Sequence, residues 1–266
     1  GVVGTSSQMS EADIERCEAR GITQVTEVSL GYGGIILANG GRRGFGGGRR
    51  GGFGLDLIEL YLAAAAYVPE NDACVLVPNP NTDWSDLDGD LPNAPIRIFG
   101  PPVRSVNRSL FIDRALAEGA RQIDCLAELE RRDPAAFERA VMPRHDEVWL
   151  DAGENDDAIA AALPFARNAI GVIGWDTFRR TPSLNAVPLG GIVPNQGAFL
   201  SGQYPLVRPL YLYVTPGALA EPSVSRLVTR LAAGDNAPSA KVYSTASGPA
   251  APVSQIDKVR RVKRYQ

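Results

Sequence analysis

The stretch IRIFGPPVRSVNR, residues 96–108, decides the fold class of this 266-residue chain. Residues 96–99 form a short apolar run that is typical of a buried strand, and the glycine and prolines at 100–102 end it. Ser105 then stands where the N-cap of a helix belongs, so we expect a helix over residues 106–119. A buried strand followed by a capped helix is the repeating unit of α/β proteins.

The same alternation of strand and helix recurs on both sides of this stretch. We expect strands at residues 23–30, 34–38, 74–77, 96–99, 171–175 and 210–214. We expect helices at residues 10–21, 55–67, 106–119, 135–142, 155–167 and 222–233, the first of them capped by Ser10. The chain is therefore predicted to be an α/β protein with a mainly parallel sheet in more than one lobe.

Charge and hydropathy exclude two classes of protein. The formal net charge is −3, so no general basic field exists and wholesale nucleic-acid binding is disfavoured. The most apolar stretches, residues 60–68 and 206–214, are far shorter than the roughly 20 residues of a membrane-spanning helix. The chain opens on GVVG without a signal-peptide pattern. Any bound anion must be held by local dipoles and a few placed cations.

Three cysteines, Cys17, Cys74 and Cys125, lack the spacing of a metal site or of a redox pair. A disulfide between Cys74 and Cys125 in an oxidising compartment is one interpretation, and buried free thiols are the other. The sequence leaves both open.

The first candidate anion site follows Ser105. The free amides of residues 106–108 at the start of the helix, with Arg104 and Arg108 beside them, suit the oxygens of a phosphate. The alternative is an ordinary capped helix with two solvated arginines.

Two further stretches could contribute to such a site. The run DAGENDD, residues 151–157, places Glu154 and Asn155 before a helix, where carboxylates are otherwise ordinary caps. A carboxylate there would accept a hydrogen bond from a protonated oxyanion and repel a fully ionised one, which favours phosphate over sulfate. In the run GTSS, residues 4–7, the hydroxyls of Thr5 and Ser6 could donate to the same anion.

Catalytic, metal and cofactor functions find little support. His145 is the only histidine, so a Ser–His–Asp triad would depend on it alone, and a surface histidine is the simpler interpretation. No phosphate-binding G-x-x-x-x-G-K-[ST] loop occurs. We expect no catalytic residue, no metal and no cofactor.

An alternative function of another class rests on residues 40–54, GGRRGFGGGRRGGFG. In an RGG-like segment that binds single-stranded nucleic acid, the arginines Arg42, Arg43, Arg49 and Arg50 would contact phosphates. Phe45 and Phe53 would stack on bases. We favour a low-complexity loop or a sequence error over this interpretation.

Five blocks of sequence carry a resemblance to a known family. They are LGYGGIILA (30–38), WSDL (84–87), IRIFGPP (96–102), DAGEND (151–156) and YPLVRPLY (204–211). In this order they resemble the periplasmic phosphate-binding proteins of ABC transporters, the PstS-like proteins. The resemblance implies a type II periplasmic-binding-protein fold, an α/β fold of two lobes with the ligand cleft between them.

The resemblance also implies the domain organisation and the function. Residues 1–39 and 204–266 would form lobe I, which is incomplete, and residues 40–203 would form lobe II. The protein would bind inorganic phosphate without catalysis and deliver it to ABC transporter permease subunits, as a monomer in the periplasm or outside the cell.

Individual residues match the family's motifs unevenly. Ser105 and Arg108 match its Ser-Gly-Thr-Arg motif, Asn107 keeps a donor, and Val106 replaces the glycine. In the family's Asp-Ile-Ala-x-x-Ser-Arg motif only Ser6 matches, and Gly1 stands for the aspartate that accepts the phosphate proton. Arg208 is expected to be a hinge or packing residue. The expected phosphate-binding residues are Thr5, Ser6, Ser105, Asn107, Arg108, Glu154 and Asn155.

Overall fold

A computed structural model describes residues 1–41, 53–151, 155–232, 240–244 and 253–254. The chain forms two compact units. Unit 1 contains Gly1–Gly33 and Arg208–Gln266, and unit 2 contains Gly34–Val207. Among the described residues, no helix has both the length and the apolar composition needed to cross a membrane.

The strands are short apart from the second. They are β1 Val2–Thr5, β2 Gln24–Gly40, β3 Tyr67–Pro69, β4 Leu76–Pro78, β5 Arg97–Gly100, β6 Trp149–Asp151, β7 Ala169–Gly174, β8 Leu184–Val187, β9 Val207–Val214, β10 Ala240–Ser244 and β11 Val253–Ser254.

The helices lie mostly in unit 2. They are α1 Glu11–Glu18, α2 Leu57–Ala64, α3 Val106–Phe111, α4 Ala117–Arg121, α5 Asp124–Arg132, α6 Pro134–Ala140, α7 Asp156–Ala162, α8 Trp175–Arg180, α9 Gln196–Leu200, α10 Pro216–Leu219 and α11 Pro222–Ala232. A π-helical segment, Ile112–Leu116, joins α3 to α4, and single 3₁₀ turns occupy Trp84–Asp86 and Leu163–Phe165.

Unit 1 is built on antiparallel pairs. β1 pairs with β9, from Val2 opposite Val214 to Thr5 opposite Tyr211, and β10 pairs with both β2 and β11. Val28, Val214 and Val228 form its apolar core. The prediction of a mainly parallel sheet is wrong for this unit, because alternation of strands and helices fixes neither the order nor the direction of strands.

Unit 2 contains the parallel part of the fold. β5 runs parallel to β6 on one side and to β7 on the other, while β2 pairs antiparallel with β7 and β8. The largest fully buried side chains of this unit include Trp84, Tyr61, Tyr204 and Phe111, which lie in helices, turns and loops outside the sheet. The α/β fold class is confirmed, with a mixed rather than a mainly parallel sheet.

Two predicted strands, residues 23–30 and 34–38, form the single 17-residue strand β2. Gly34, where the second of these strands was expected to begin, lies inside β2 and allows close packing. A Cβ on Gly34 would lie 2.6 Å from the carbonyl oxygen of Leu206. The strand therefore continues through glycines that leave room for a neighbouring segment.

Local signals predicted helix starts better than helix ends. Ser10 caps α1 through a capping box with Asp13, as expected. The helix predicted to extend to residue 67 ends at Ala64, because Ala65 is extended and the chain then enters β3. The elements that were not predicted are β1, β3, β6, β8, β10, β11, α5, α8, α9 and α10.

All three cysteines lie in described parts of the chain, and two of them form the disulfide that was one of the two interpretations. Cys74 and Cys125 are bonded, with their Cα atoms 5.4 Å apart. Cys17 is a free, half-buried thiol.

Candidate functional site

The three parallel strands of unit 2 end at the same edge of the sheet. β5 ends at Gly100, β6 at Asp151 and β7 at Gly174. In α/β proteins the crevice outside the carboxyl ends of parallel strands is the usual place for a ligand. A cavity of about 330 Å³ lies here, lined by Pro102, Ser105, Asn107, Asn155, Asp156, Asp157 and Thr177. Segments that follow all three strands therefore meet around one cavity.

Close packing fixes the strands beneath this cavity. A Cβ on Gly100 would lie 1.9 Å from Cζ2 of Trp149, so the ends of β5 and β6 can meet only with glycine there. A Cβ on Gly171 would lie 2.6 Å from Cγ2 of Ile159, which brings α7 close to β7. The strands beneath the cavity are therefore closely packed against one another and against α7.

Ser105 is the N-cap of α3, as predicted. Its Oγ accepts a hydrogen bond from the backbone N–H of Arg108 at 3.1 Å. Because that bond uses a lone pair, the Ser105 hydroxyl hydrogen remains a donor. Ser105 and Asn107 are both half-buried at the cavity wall.

Asp156 holds the segments around the cavity together. Its Oδ2 accepts from Asn107 Nδ2 at 2.7 Å and from the backbone N–H of Gly174 at 2.6 Å. Burial raises the pKa of this carboxyl above its ordinary value, against the two hydrogen bonds that favour the charged form, and the charge of Asp157 raises it further. The carboxyl of Asp156 is thus more easily protonated than that of an ordinary aspartate.

Asn155 caps α7 and faces the same cavity. Its Oδ1 accepts from the backbone N–H of Ala158 at 3.1 Å, so the cap does not use its Nδ2 donor. Glu154, the other residue predicted in this stretch, lies outside the described residues.

Asp157 and Thr177 are joined by an arginine at the cavity. Arg180 Nη2 lies 3.3 Å from Asp157 Oδ1 and 3.4 Å from Thr177 Oγ1. The cation offsets one of the two carboxylates in the wall. Sequence reasoning missed Thr177 and Arg180, although their position just after the predicted strand at residues 171–175 was a signal.

Arg108 does not line the cavity. It is only 3% exposed, its Nη1 donates to Pro101 O at 3.2 Å and to Asp151 Oδ1, and its guanidinium lies over the Trp149 ring. Arg108 was expected to flank the anion, whereas its guanidinium here is held in these buried contacts. The side chain instead joins the loop after β5 to the end of β6.

The contact with Arg108 changes the pKa of Asp151. Partial burial opposes its ionisation, but hydrogen bonds from Arg108 and Trp149 outweigh burial, so the pKa of Asp151 is lowered. The carboxylate is charged at neutral pH and balances the buried guanidinium.

The first-lobe candidates lie in unit 1. Thr5 Oγ1 is 3.3 Å from Ser7 Oγ, and both residues line a cavity of about 620 Å³ with Met9, Cys17 and Tyr213 among its walls. Ser6 Oγ accepts from Arg208 Nη1 at 3.2 Å. The structure thus brings Ser6 together with a cation that the sequence had assigned to hinge or packing.

The nucleic-acid interpretation loses one of its two aromatic residues. Phe53 packs edge-on against the buried Trp84, with ring centroids 5.2 Å apart, so it is not presented for stacking on a base. The remaining residues 42–52 of that stretch lie outside the described residues. His145 is exposed, and within the described ranges no three His, Cys, Asp or Glu side chains cluster as a metal site.

A family model, described as a PBP superfamily domain, matches residues 1–234. Among solved structures, a possible phosphate binding protein from Planctomyces limnophilus superposes with a TM-score of 0.57 at 21% identity, covering 88% of this chain and 70% of that one. PstS from Borrelia burgdorferi gives a TM-score of 0.54 at 12% identity, with 88% and 73% covered. No curated protein matches the sequence. At these identities the structural likeness concerns the fold.

Proposed function

The chain belongs to the PBP superfamily, and from that premise we propose that it binds inorganic phosphate without catalysis, for delivery to the permease subunits of an ABC importer. The observation that carries the proposal is the cavity at the carboxyl ends of β5, β6 and β7. Its wall gathers Ser105, Asn107 and Asn155, three of the residues that the sequence assigned to phosphate. The proteins from P. limnophilus and B. burgdorferi, described respectively as a possible phosphate binding protein and as PstS, share the fold and support this assignment.

The donors at the cavity suit a small oxyanion. Ser105 offers a hydroxyl hydrogen, while Asn107 and Asn155 offer amide hydrogens beyond those that the hydrogen bonds described above occupy. Arg108 fixes the loop that carries Ser105 and Asn107 by binding Pro101 and Asp151 from behind. We assign it a positioning role, and Thr5 and Ser6 remain the proposed donors from the first lobe, residues 1–39 with 204–266.

The acids in the wall favour a protonated anion. Asp156 accepts two hydrogen bonds on Oδ2, and its other oxygen can accept one from a ligand. Inorganic phosphate keeps a proton at neutral pH and can donate that bond, whereas sulfate has no proton to give. Asp156 would therefore repel sulfate while binding hydrogen phosphate, the same discrimination that Glu154 was expected to provide.

The disulfide supports a periplasmic or secreted location for this function. Cys74 and Cys125 are bonded, and disulfides persist in oxidising compartments. We propose that the protein acts there as a monomer.

Isothermal titration calorimetry with phosphate and sulfate tests the proposal. The wild-type protein should bind phosphate saturably and sulfate far more weakly. Asn107→Ala should weaken phosphate binding by about 2- to 10-fold, the effect of one neutral hydrogen bond. The control is Asn93→Ala, an exposed residue before β5 and so at the opposite end of the strands, which should bind as wild type. Absence of phosphate binding, or equal affinity for sulfate, would contradict the proposal.

A further inference from the structure

The cavity at the carboxyl ends of β5, β6 and β7 needs a cation if it is to hold an anion. Asp156 and Asp157 both line it, and among the described residues of its wall there is no lysine or arginine. The guanidinium of Arg108 is held by Pro101 O and Asp151 instead. An anion that enters the cavity would therefore meet negative charge, unless a cation reaches it from close by.

Arg180 lies next to this wall, within the same unit. Its Nη2 is 3.3 Å from Asp157 Oδ1 and 3.4 Å from Thr177 Oγ1, and both of these residues line the cavity. Arg180 is the last residue of α8, the helix that directly follows β7. Because residues three apart lie on the same side of a helix, α8 holds the side chains of Thr177 and Arg180 together.

The guanidinium of Arg180 can turn from Asp157 to an anion in the cavity. The side chains of Arg180 and Asp157 are 63% and 71% exposed, and an ion pair exposed on both sides contributes little to stability. Within the described part of the chain, Nε and Nη1 of Arg180 make no hydrogen bond. A guanidinium presents a planar fork of N–H groups that fits two oxygens of a phosphate.

Thr177 adds a hydroxyl donor beside this cation. Its side chain is buried, and Oγ1 accepts the contact from Arg180 with a lone pair. The hydroxyl hydrogen therefore remains available to an acceptor in the cavity. Thr177 and Arg180 together offer the combination of hydroxyl and cation that suits an oxyanion.

We propose that Arg180 is the cationic ligand that unit 2 contributes to the bound phosphate, with the Thr177 hydroxyl beside it, and that Asp157 competes with the phosphate for this guanidinium. The assignment rests on the proposed function. It gives Arg180 the role of charged ligand that the sequence had given to Arg108.

Calorimetric titration of the full chain with inorganic phosphate tests the assignment. Arg180→Gln should weaken binding by about 10- to 100-fold, because a charge-assisted hydrogen bond is lost. Arg180→Lys keeps the charge but loses the planar fork, so its affinity should lie between those of the wild type and Arg180→Gln. The matched control is Arg179→Gln, which removes the same charge from an exposed neighbour on α8 and should change the affinity by less than about 2-fold.

Replacing Asp157 by Asn tests the competition. The substitution removes the partner that Arg180 must leave, so phosphate binding should strengthen by about 2- to 5-fold. The gain should be smaller in the Arg180→Gln background, because only the repulsion between Asp157 and the anion is then relieved. Equal gains in the two backgrounds, or weaker binding by Asp157→Asn, would show that Asp157 does not compete for Arg180.

The outcomes separate this assignment from the proposed function. Circular dichroism checks that each variant is folded, and if Arg180→Gln is not, Arg180→Met takes its place because it keeps much of the aliphatic stem. Wild-type affinity in the folded variant, or an equal loss in Arg179→Gln, overturns the role of Arg180 and leaves phosphate binding intact. Failure of the wild-type protein to bind phosphate overturns the proposed function and this assignment with it.

Discussion

Asp156 accepts a hydrogen bond from Asn107 at 2.7 Å, which joins side chains that lie 49 residues apart in the sequence. The same Asp156 oxygen also accepts from the backbone N–H of Gly174 at 2.6 Å. One carboxylate therefore ties together the segment after β5, the segment after β6 and the last residue of β7. The cavity between them has its donors fixed in place, which lowers the cost of ordering them when a ligand binds.

Replacing Asp156 by Asn should change how stability depends on pH. Burial raises the pKa of Asp156 in the folded state, so the folded chain binds more protons than the unfolded chain between about pH 3.9 and that raised value. Stability therefore falls as pH rises through this window. We compare the free energies of unfolding of the wild type and of Asp156→Asn. The wild-type value minus the variant value should decrease as pH rises through this window.

Urea unfolding at a series of pH values measures this difference. The control is Asp90→Asn, an exposed residue in a turn whose substitution should shift the curve little at any pH. A difference that stays constant, or that increases with pH, would contradict the assignment of a raised pKa to Asp156.

Replacing Gly100 by Ala should destabilise the strand edge beneath the cavity. The added Cβ would collide with the Trp149 ring, 1.9 Å away, and the ring must move along with the hydrogen bond that it gives to Asp151. The expected loss is about 1–3 kcal/mol of unfolding free energy. Thermal or denaturant unfolding measures the loss.

Gly89→Ala is the matched substitution for this test. Nothing lies within 4 Å of a Cβ at Gly89, so the change should stay within about 1 kcal/mol and can be stabilising. Equal effects of the two substitutions would show that Gly100 is not required for the approach of Trp149.

Replacing Asp151 by Asn should show how much the Arg108–Asp151 ion pair contributes to the free energy of unfolding. Arg108 is buried and Asp151 is partly exposed, so the substitution leaves a buried cation with a neutral partner. We expect a loss of about 1–3 kcal/mol. Asp157→Asn interrupts an ion pair with Arg180 that is exposed on both sides, and it should cost less than about 1 kcal/mol. The reverse order of the two losses in denaturant unfolding would be inconsistent with this assignment.

Removing the Cys74–Cys125 disulfide should destabilise unit 2. The bond closes a segment with a sequence separation of 51, and its loss through Cys125→Ser should cost about 2–4 kcal/mol. Cys17→Ser leaves the disulfide intact and should cost less. A thiol reagent should label one cysteine per unfolded, unreduced chain, and three labelled cysteines would disprove the disulfide.

The sequence was informative where a signal is local. Ser10 and Ser105 cap the helices that they were expected to cap, because capping depends on residues three positions away. The strand and helix around residues 96–108 follow from the same kind of signal. The strand directions of unit 1 could not be predicted in this way, because β1 and β9 come from opposite ends of the chain.

Individual residues of the site could be predicted from the sequence, but their arrangement around one cavity could not. Ser105, Asn107 and Asn155 were identified one stretch at a time, and only the parallel pairing of β5, β6 and β7 brings them to one cavity. Arg108 was expected to hold the anion, and no local signal showed its contact with Asp151, which lies 43 residues further on. Thr177 and Arg180 were missed because α8 was not predicted.

The most direct test of the proposed phosphate site is to follow backbone amide chemical shifts while inorganic phosphate is added to the wild-type protein. We expect saturable shifts concentrated at Asn107, Asp156 and Thr177, around the cavity at the carboxyl ends of the parallel strands. Saturable shifts that leave these amides unmoved, or no saturable shifts at all, would contradict the proposed phosphate site.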